Sequence, residues 1–265
     1  MKRLMVILIV MGLLLPLSSE AKRVKYKVID VTNGGIIKGI VKASKKVTDP
    51  VLPIKVKPKP NPEETELEKK TCGSSQQALM YVFSSKMGVK NALVIVENIK
   101  EGKAPPKQDL VIDNKECRFY PLVGIAYVKS KFEIKNSDPI FHNTSLGKLL
   151  RGGRRRTVYN LALPFKDQII KKPVRVTGLI DIKCDAHNWM RAYVYASRHP
   201  YVAITDDNGR FEIHDLPPGK YRVRFWHEGF QEVVKEIEVK AGGTTEVQVI
   251  FTKTRKPAFL TGLGL

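Results

Sequence analysis

Residues 174–190 read Val-Arg-Val-Thr-Gly-Leu-Ile-Asp-Ile-Lys-Cys-Asp-Ala-His-Asn-Trp-Met, and this stretch decides both the fold and the candidate site. From 174 to 184 the even positions are apolar or small and the odd ones mostly polar, which is the period of a half-buried strand. That alternation places Cys184 on the buried face, at the point where the strand gives way to a tight loop holding His187 and Met190. A second alternation, Lys-Phe-Glu-Ile-Lys-Asn at 131–136, turns Phe132 and Ile134 inward and ends at Asn136. It leads into Ser-Asp-Pro-Ile-Phe-His142-Asn143. Two strands thus deliver chemistry-bearing residues to one end of a sandwich.

The rest of the chain reads the same way. Gly34 to Val41 (GGIIKGIV) is a short strand with glycine punctuation, and LMYVF (79–83) and ALVIVENI (92–99) read as strands around a turn at 86–90. From Tyr193 onward the pattern is one of tight hairpins, with Asp207-Asn208-Gly209 and Pro217-Pro218-Gly219 as turns. Further strands are expected over 233–240 and 245–251. Residues 45–70, rich in Pro, Lys and Glu without apolar periodicity, read as an extended linker. With no amphipathic helix longer than about ten residues in the pattern, the expected class is all-β, with two sandwiches.

One thiolate, two imidazoles and a thioether are the donor types of a mononuclear electron-transfer copper site, with two histidines and a cysteine in a plane and a weak axial methionine. On those residues, roughly over 91–195, the chain resembles the cupredoxins, and its short C-x-x-H-x-x-M loop is similar to that of amicyanin. The resemblance implies a Greek-key β-sandwich holding one type 1 copper, with His142, Cys184 and His187 equatorial and Met190 axial. It also implies that Asn143 locks the ligand loops near the thiolate, and that the distal edge of His187 reaches solvent beside Trp189. Trp189 itself reads equally as a packing lid or a partner-facing aromatic. The segment between the ligands, LGKLLRGGRRRTVYNLALPF (146–165), is longer and more basic than such a domain needs. Zinc fits the donor set less well, and a binuclear purple copper centre needs a second cysteine in the loop. The bland alternative makes Cys184 and Met190 core filler and His142 a turn residue.

TDDNGRFEIHDLPPGKYRVRFWHEG (205–229) resembles the carboxypeptidase regulatory-like, transthyretin-type domains, which implies a small prealbumin- or Ig-like sandwich. The opening Gly-x-Ile-x-Gly-x-Val strand of such domains is missing after Met190 but present at 35–41. The expected layout is therefore a signal peptide at 1–21, a strand within 22–44 that completes the C-terminal sandwich, and the linker at 45–70. A copper domain at 71–195, the regulatory-like sandwich at 196–252 and a tail at 253–265 follow. His199 and His227 are weighed as a second metal site against a hydrogen-bonded structural role.

The chain has 265 residues, 46 Lys+Arg and 26 Asp+Glu, a net +20, and enough apolar residues (43%) for a globular core. Lys2 and Arg3, the apolar run 4–17, and Ser19 and Ala21 read as a secretory signal. The expected location is periplasmic or extracellular, with no integral membrane segment in the mature chain. Export argues against nucleic acid and leaves an anionic membrane, an acidic polymer or an acidic protein as candidates, of which an acidic redox partner protein is the one expected; a solvated basic surface with no dedicated partner is the bland alternative. Three cysteines are an odd number for an oxidising compartment. With Cys184 as the odd one, Cys72 and Cys117 are expected to pair. No enzyme is expected, since the five histidines contain none of the paired H-x-H motifs of a trinuclear copper oxidase. Copper storage or delivery and a structural β-protein remain the other readings.

Overall fold

Strand Leu93–Glu97 explains the architecture, because its first four residues are all fully buried. Val94 and Val96 point into one apolar cluster and Leu93 and Ile95 into another, so this strand lies in a sheet covered on both faces. The computed structural model, which describes residues 25–265, is all-β and stacks four sheets. The expected signal peptide at 1–21 lies outside the described residues.

The first sheet has the order Ile169–Pro173, Lys131–Asn136, Leu110–Lys115, Arg118–Tyr120. The second, which carries the site, has the order Arg155–Leu163, His142–Leu149, Gly178–Lys183, Arg191–Ser197, Val123–Tyr127. Phe132, Ile134 and Ile112 from the first meet Leu146, Ile180 and Ile182 from the second in the core between them. The third sheet orders Val202–Ile204, Leu93–Glu97, Gly219–Trp226, Val233–Val239, and the fourth Arg210–Leu216, Gly35–Ala43, Thr244–Phe251. A second core, with Ile37, Val41, Phe211, Phe225 and Phe251, fills the space between them. Where the second and third sheets face each other, Val123, Tyr193 and Tyr195 pack on Leu93, Ile95 and Trp226.

Gly35–Ala43 lies between two partners, antiparallel to Arg210–Leu216 and parallel to Thr244–Phe251. The expected boundaries need correcting elsewhere. Leu93–Glu97, expected inside a copper domain at 71–195, pairs instead with Val202–Ile204 and Gly219–Trp226 of the other sandwich. Residues 79–83 form no regular strand; Phe83 makes only an isolated bridge to Val89.

The expected linker at 45–70 is also structured: Val51–Pro53 pairs with Ser75–Gln77, and Pro62–Cys72 is an α-helix. Its start follows ordinary capping rules: Asn61 accepts a hydrogen bond from the Glu63 N–H, Pro62 opens the first turn, and Glu63 and Glu64 sit at its positive end. An apolar-periodicity reading misses this helix because the face it buries is polar, carrying Thr65 and Glu68 ahead of Cys72. Nor is the end of the chain a free tail, since Leu260 of the short helix Ala258–Gly262 is buried in the first core.

Candidate metal centre

The register of the second sheet builds the site. His142–Leu149 runs antiparallel to Gly178–Lys183 with Ser145 opposite Lys183, so the first residue of one strand and the residue just past the end of the other meet at one edge. There His142 Nδ1 lies 3.0 Å from His187 Nδ1, and Cys184 Sγ lies 3.5 Å from the same His187 nitrogen. One ligand atom from each of the three residues falls within 4.8 Å of the others. The loop returns as a short turn, with the Met190 N–H donating to the His187 carbonyl, and Met190 is buried.

The backbone N–H of Asn143 donates to Cys184 Sγ at 3.4 Å, and the Asn143 side chain bridges the two ligand loops, accepting from the Asp185 N–H and donating to Asn160. Burial pushes the Cys184 thiol up, while the N–H groups of Asn143, His187 and Ala186 oppose that shift.

Both imidazoles are held from behind by a carboxylate. His142 Nε2 bonds Asp138 Oδ2 at 2.8 Å, and His187 Nε2 meets Glu68 Oε1 at 3.2 Å. Burial works against the charge on Asp138, but the bond from His142 and the N–H groups of Cys117 and Glu116 outweigh it and hold the carboxyl below its usual range. His187 is shifted down, first by burial and then by the neighbouring His142. Asn136 fixes the loop that positions Asp138: its side chain donates to the carbonyls of Ile140, Leu163 and Phe165 and accepts from the Asp138 N–H.

The carboxylates fix the ring protons on both Nε2 atoms, leaving two Nδ1 lone pairs and a sulfur turned toward one point. Such a cluster is unfavourable unless a cation or an extra proton sits within it. Separations of 3.0 and 3.5 Å suit ligand atoms sharing a metal at bonds of roughly 2.0–2.3 Å. The residues present therefore fit a soft-to-borderline metal ion.

One expectation is overturned, and the open readings of Trp189, His199 and His227 are narrowed. The His187 edge does not reach solvent: the residue is 1% exposed, with helix Pro62–Cys72 over it. Trp189 is buried as well and does not face a partner; it donates to the Cys117 carbonyl and its ring lies 5.0 Å from that of His187. Of the arginines in the basic segment, Arg155 is tied to Asp181 at 2.7 Å, while Arg154 and Arg156 are exposed. His199 and His227 sit apart, the first against Tyr26 and Tyr201, the second among Tyr81, Phe230 and Phe251.

Sequence reasoning missed Asp138, Asn136 and Glu68. Asp138 carries a weak signal, being four residues before His142 in a turn-forming segment. Glu68 carries none, since its helix is brought to the site by long-range packing and by the expected Cys72–Cys117 disulfide, which the structure contains.

The site is a buried cysteine and bis-histidine cluster in an all-β host. Residues 190–252 match the family model of the carboxypeptidase regulatory-like domain. A comparison with curated proteins gives no match. Among solved structures, the chain is similar to a Cu-containing nitrite reductase from Thermus scotoductus SA-01, at 16% identity over 37% of this chain, with a TM-score of 0.29. It spans 24% of that reductase. A purple cupredoxin from Nitrosopumilus maritimus is similar at 19% identity over 34% of this chain and 100% of its own, with a TM-score of 0.29. A reduced Cu(I) form of an amicyanin variant is similar at 15% identity over 39% of this chain and 98% of its own, also at a TM-score of 0.29.

Proposed function

We propose that the protein is an exported type 1 copper protein that carries single electrons between redox partners and has no catalytic turnover of its own. The observation that carries this reading is the convergence of His142 Nδ1, His187 Nδ1 and Cys184 Sγ, with a backbone N–H from Asn143 on the sulfur. Bound copper supplies a one-electron couple. The chain's own residues do the rest: Cys184, His142 and His187 would hold the ion, and Met190, buried at the end of the same loop, would be the further donor. Asp138, Asn136 and Asn143 keep the donors in place so that little moves when the charge changes. The enclosing core excludes water, and the exposed Arg154 and Arg156 steer an acidic partner.

The test is the absorption and electron-spin-resonance spectrum of the Cu(II)-loaded protein. An intense sulfur-to-metal charge-transfer band is expected, and Cys184→Ser should abolish it because only a thiolate in the plane gives that transition. Colour retained in Cys184→Ser overturns the assignment.

A second reading, holding or delivering copper without electron transfer, draws on the burial of His187, the ligand through which a cupredoxin-like centre would exchange electrons. The electron self-exchange rate separates the two. A slow rate in a protein with a fully formed blue band favours holding.

A further inference from the structure

The segment over His187 accounts for one carboxylate that packing alone does not. Glu68 is 5% exposed, and a buried carboxylate is costly unless every lone pair has a partner. Its two oxygens have separate tasks: Oε1 faces His187 Nε2 at 3.2 Å and Oε2 receives Lys59 Nζ at 2.6 Å. The Lys59 backbone is fastened in turn, its N–H donating to Thr65 Oγ1 on the same helix. At the far end of that helix Cys72 is bonded to Cys117. The same Cys117 donates its N–H to Asp138 and accepts from the Trp189 indole. Carboxylates on both histidines are therefore tied to one covalent junction. Above Glu68 a small cleft of about 130 Å³ opens between Lys57, Lys59, Phe141 and Ala186.

We propose that Glu68 is a positioning residue for the metal centre, and that helix Pro62–Cys72 caps the centre. Glu68 turns His187 so that Nδ1 faces the ion and favours the higher-charged state of that ion, and the helix slows metal loss through the cleft. The inference rests on the copper reading, but the contact between Glu68 and His187 belongs to the metal-free chain and can be tested there. A carboxylate that accepts the distal N–H of a ligand imidazole raises the basicity of the metal-bound nitrogen, and losing such a partner typically lowers metal affinity about 10–100-fold. The loss should fall mainly on Cu(II), because the fixed negative charge favours the more positive ion.

The experiment compares the full chain with Glu68→Gln and Glu68→Leu. In metal-free protein, nitrogen-15 spectra of the histidine rings should show the His187 proton on Nε2, protected from exchange in the parent and exposed in Glu68→Leu. With copper, both variants should keep the Cys184-dependent band, release Cu(II) to a chelator about 10–100-fold faster, and show a raised reduction potential. A role limited to folding would lower stability and leave the potential where it was. If either variant fails to fold, Lys59→Met is read instead: it leaves the Glu68 charge unneutralised, so the potential should shift the opposite way, downward. An unchanged potential and release rate in a blue, folded variant overturns the proposal while leaving the copper reading intact. Absence of a Cys184-dependent band in the parent overturns the copper reading; the nitrogen spectra then still decide whether Glu68 orients His187.

Discussion

At the scale of single residues, the donor types and their order are legible because they are local: Cys184, His187 and Met190 share one loop, and His142 follows a strand whose alternation is plain. The groups that hold those donors are not legible, because each comes from elsewhere in the chain. Asn136 ends a strand in one sheet yet fastens carbonyls around a ligand that opens a strand in the next. His227 is a different case. Its role is structural, its Nδ1 accepting the Gly229 N–H, and burial holds its pKa down at about 3. His199, half-buried, is held at about 4 by desolvation. A histidine kept neutral in the fold takes up its proton first in the unfolded chain, so stability is full above the unfolded pKa of about 6.5 and falls with pH below it. We expect the denaturant midpoint to drop between pH 7 and 5, and the drop to be smaller in a His199→Gln/His227→Gln double variant. An identical slope in that variant would place the pH dependence on other groups.

At the scale of elements, the strands with a clear period of two are readable, and the helix Pro62–Cys72 is not, since what it buries is a carboxylate and a threonine. Its boundaries were nonetheless written in Asn61, Pro62 and the Glu63-Glu64 pair, and a reading by caps would have found it. The cap is worth testing by itself. Asn61→Ala removes the acceptor for the Glu63 N–H and should cost about 0.5–2 kcal/mol, felt first as faster amide exchange in the helix. The disulfide closes a 45-residue separation, and on the chain-entropy view it contributes about 4 kcal/mol. The helix should therefore fray at its Asn61 end while its Cys72 end stays protected. Uniform loss of protection along the helix would contradict that picture.

At the scale of the whole molecule, the two sandwiches meet through the second and third sheets and through one buried ion pair. Arg191 donates twice to Glu228, at 2.8 Å each, reaches the Ala78 carbonyl, and lies 4.3 Å beneath the Phe259 ring. Burial pushes the Glu228 carboxyl up and Arg191 pulls it back, with a net rise. Glu228→Leu strands the Arg191 charge and should cost about 3–5 kcal/mol in denaturant unfolding, whereas Arg191→Met with Glu228→Leu should recover much of that loss. A double variant no more stable than the single one would assign the cost to packing. The layering itself escapes sequence reading, because a strand such as Leu93–Glu97 shows only that it is buried, not which sheet buries it.

The order in which the chain visits the layers also constrains how this molecule could be divided or inherited. It enters the fourth sheet at Gly35–Ala43, crosses to cap the ligand end, and returns to the third sheet at Leu93–Glu97. It then builds the ligand sandwich over 110–197 before finishing the other over 202–251. A gene fragment encoding only 190–252, the part that matches the regulatory-like family model, would lack the central strand of the fourth sheet and the strand between Val202–Ile204 and Gly219–Trp226. Its product would carry two gaps lined with unpaired backbone and would be prone to aggregate. The two halves are thus interleaved in sequence, and the regulatory-like half cannot be cut out as one contiguous piece.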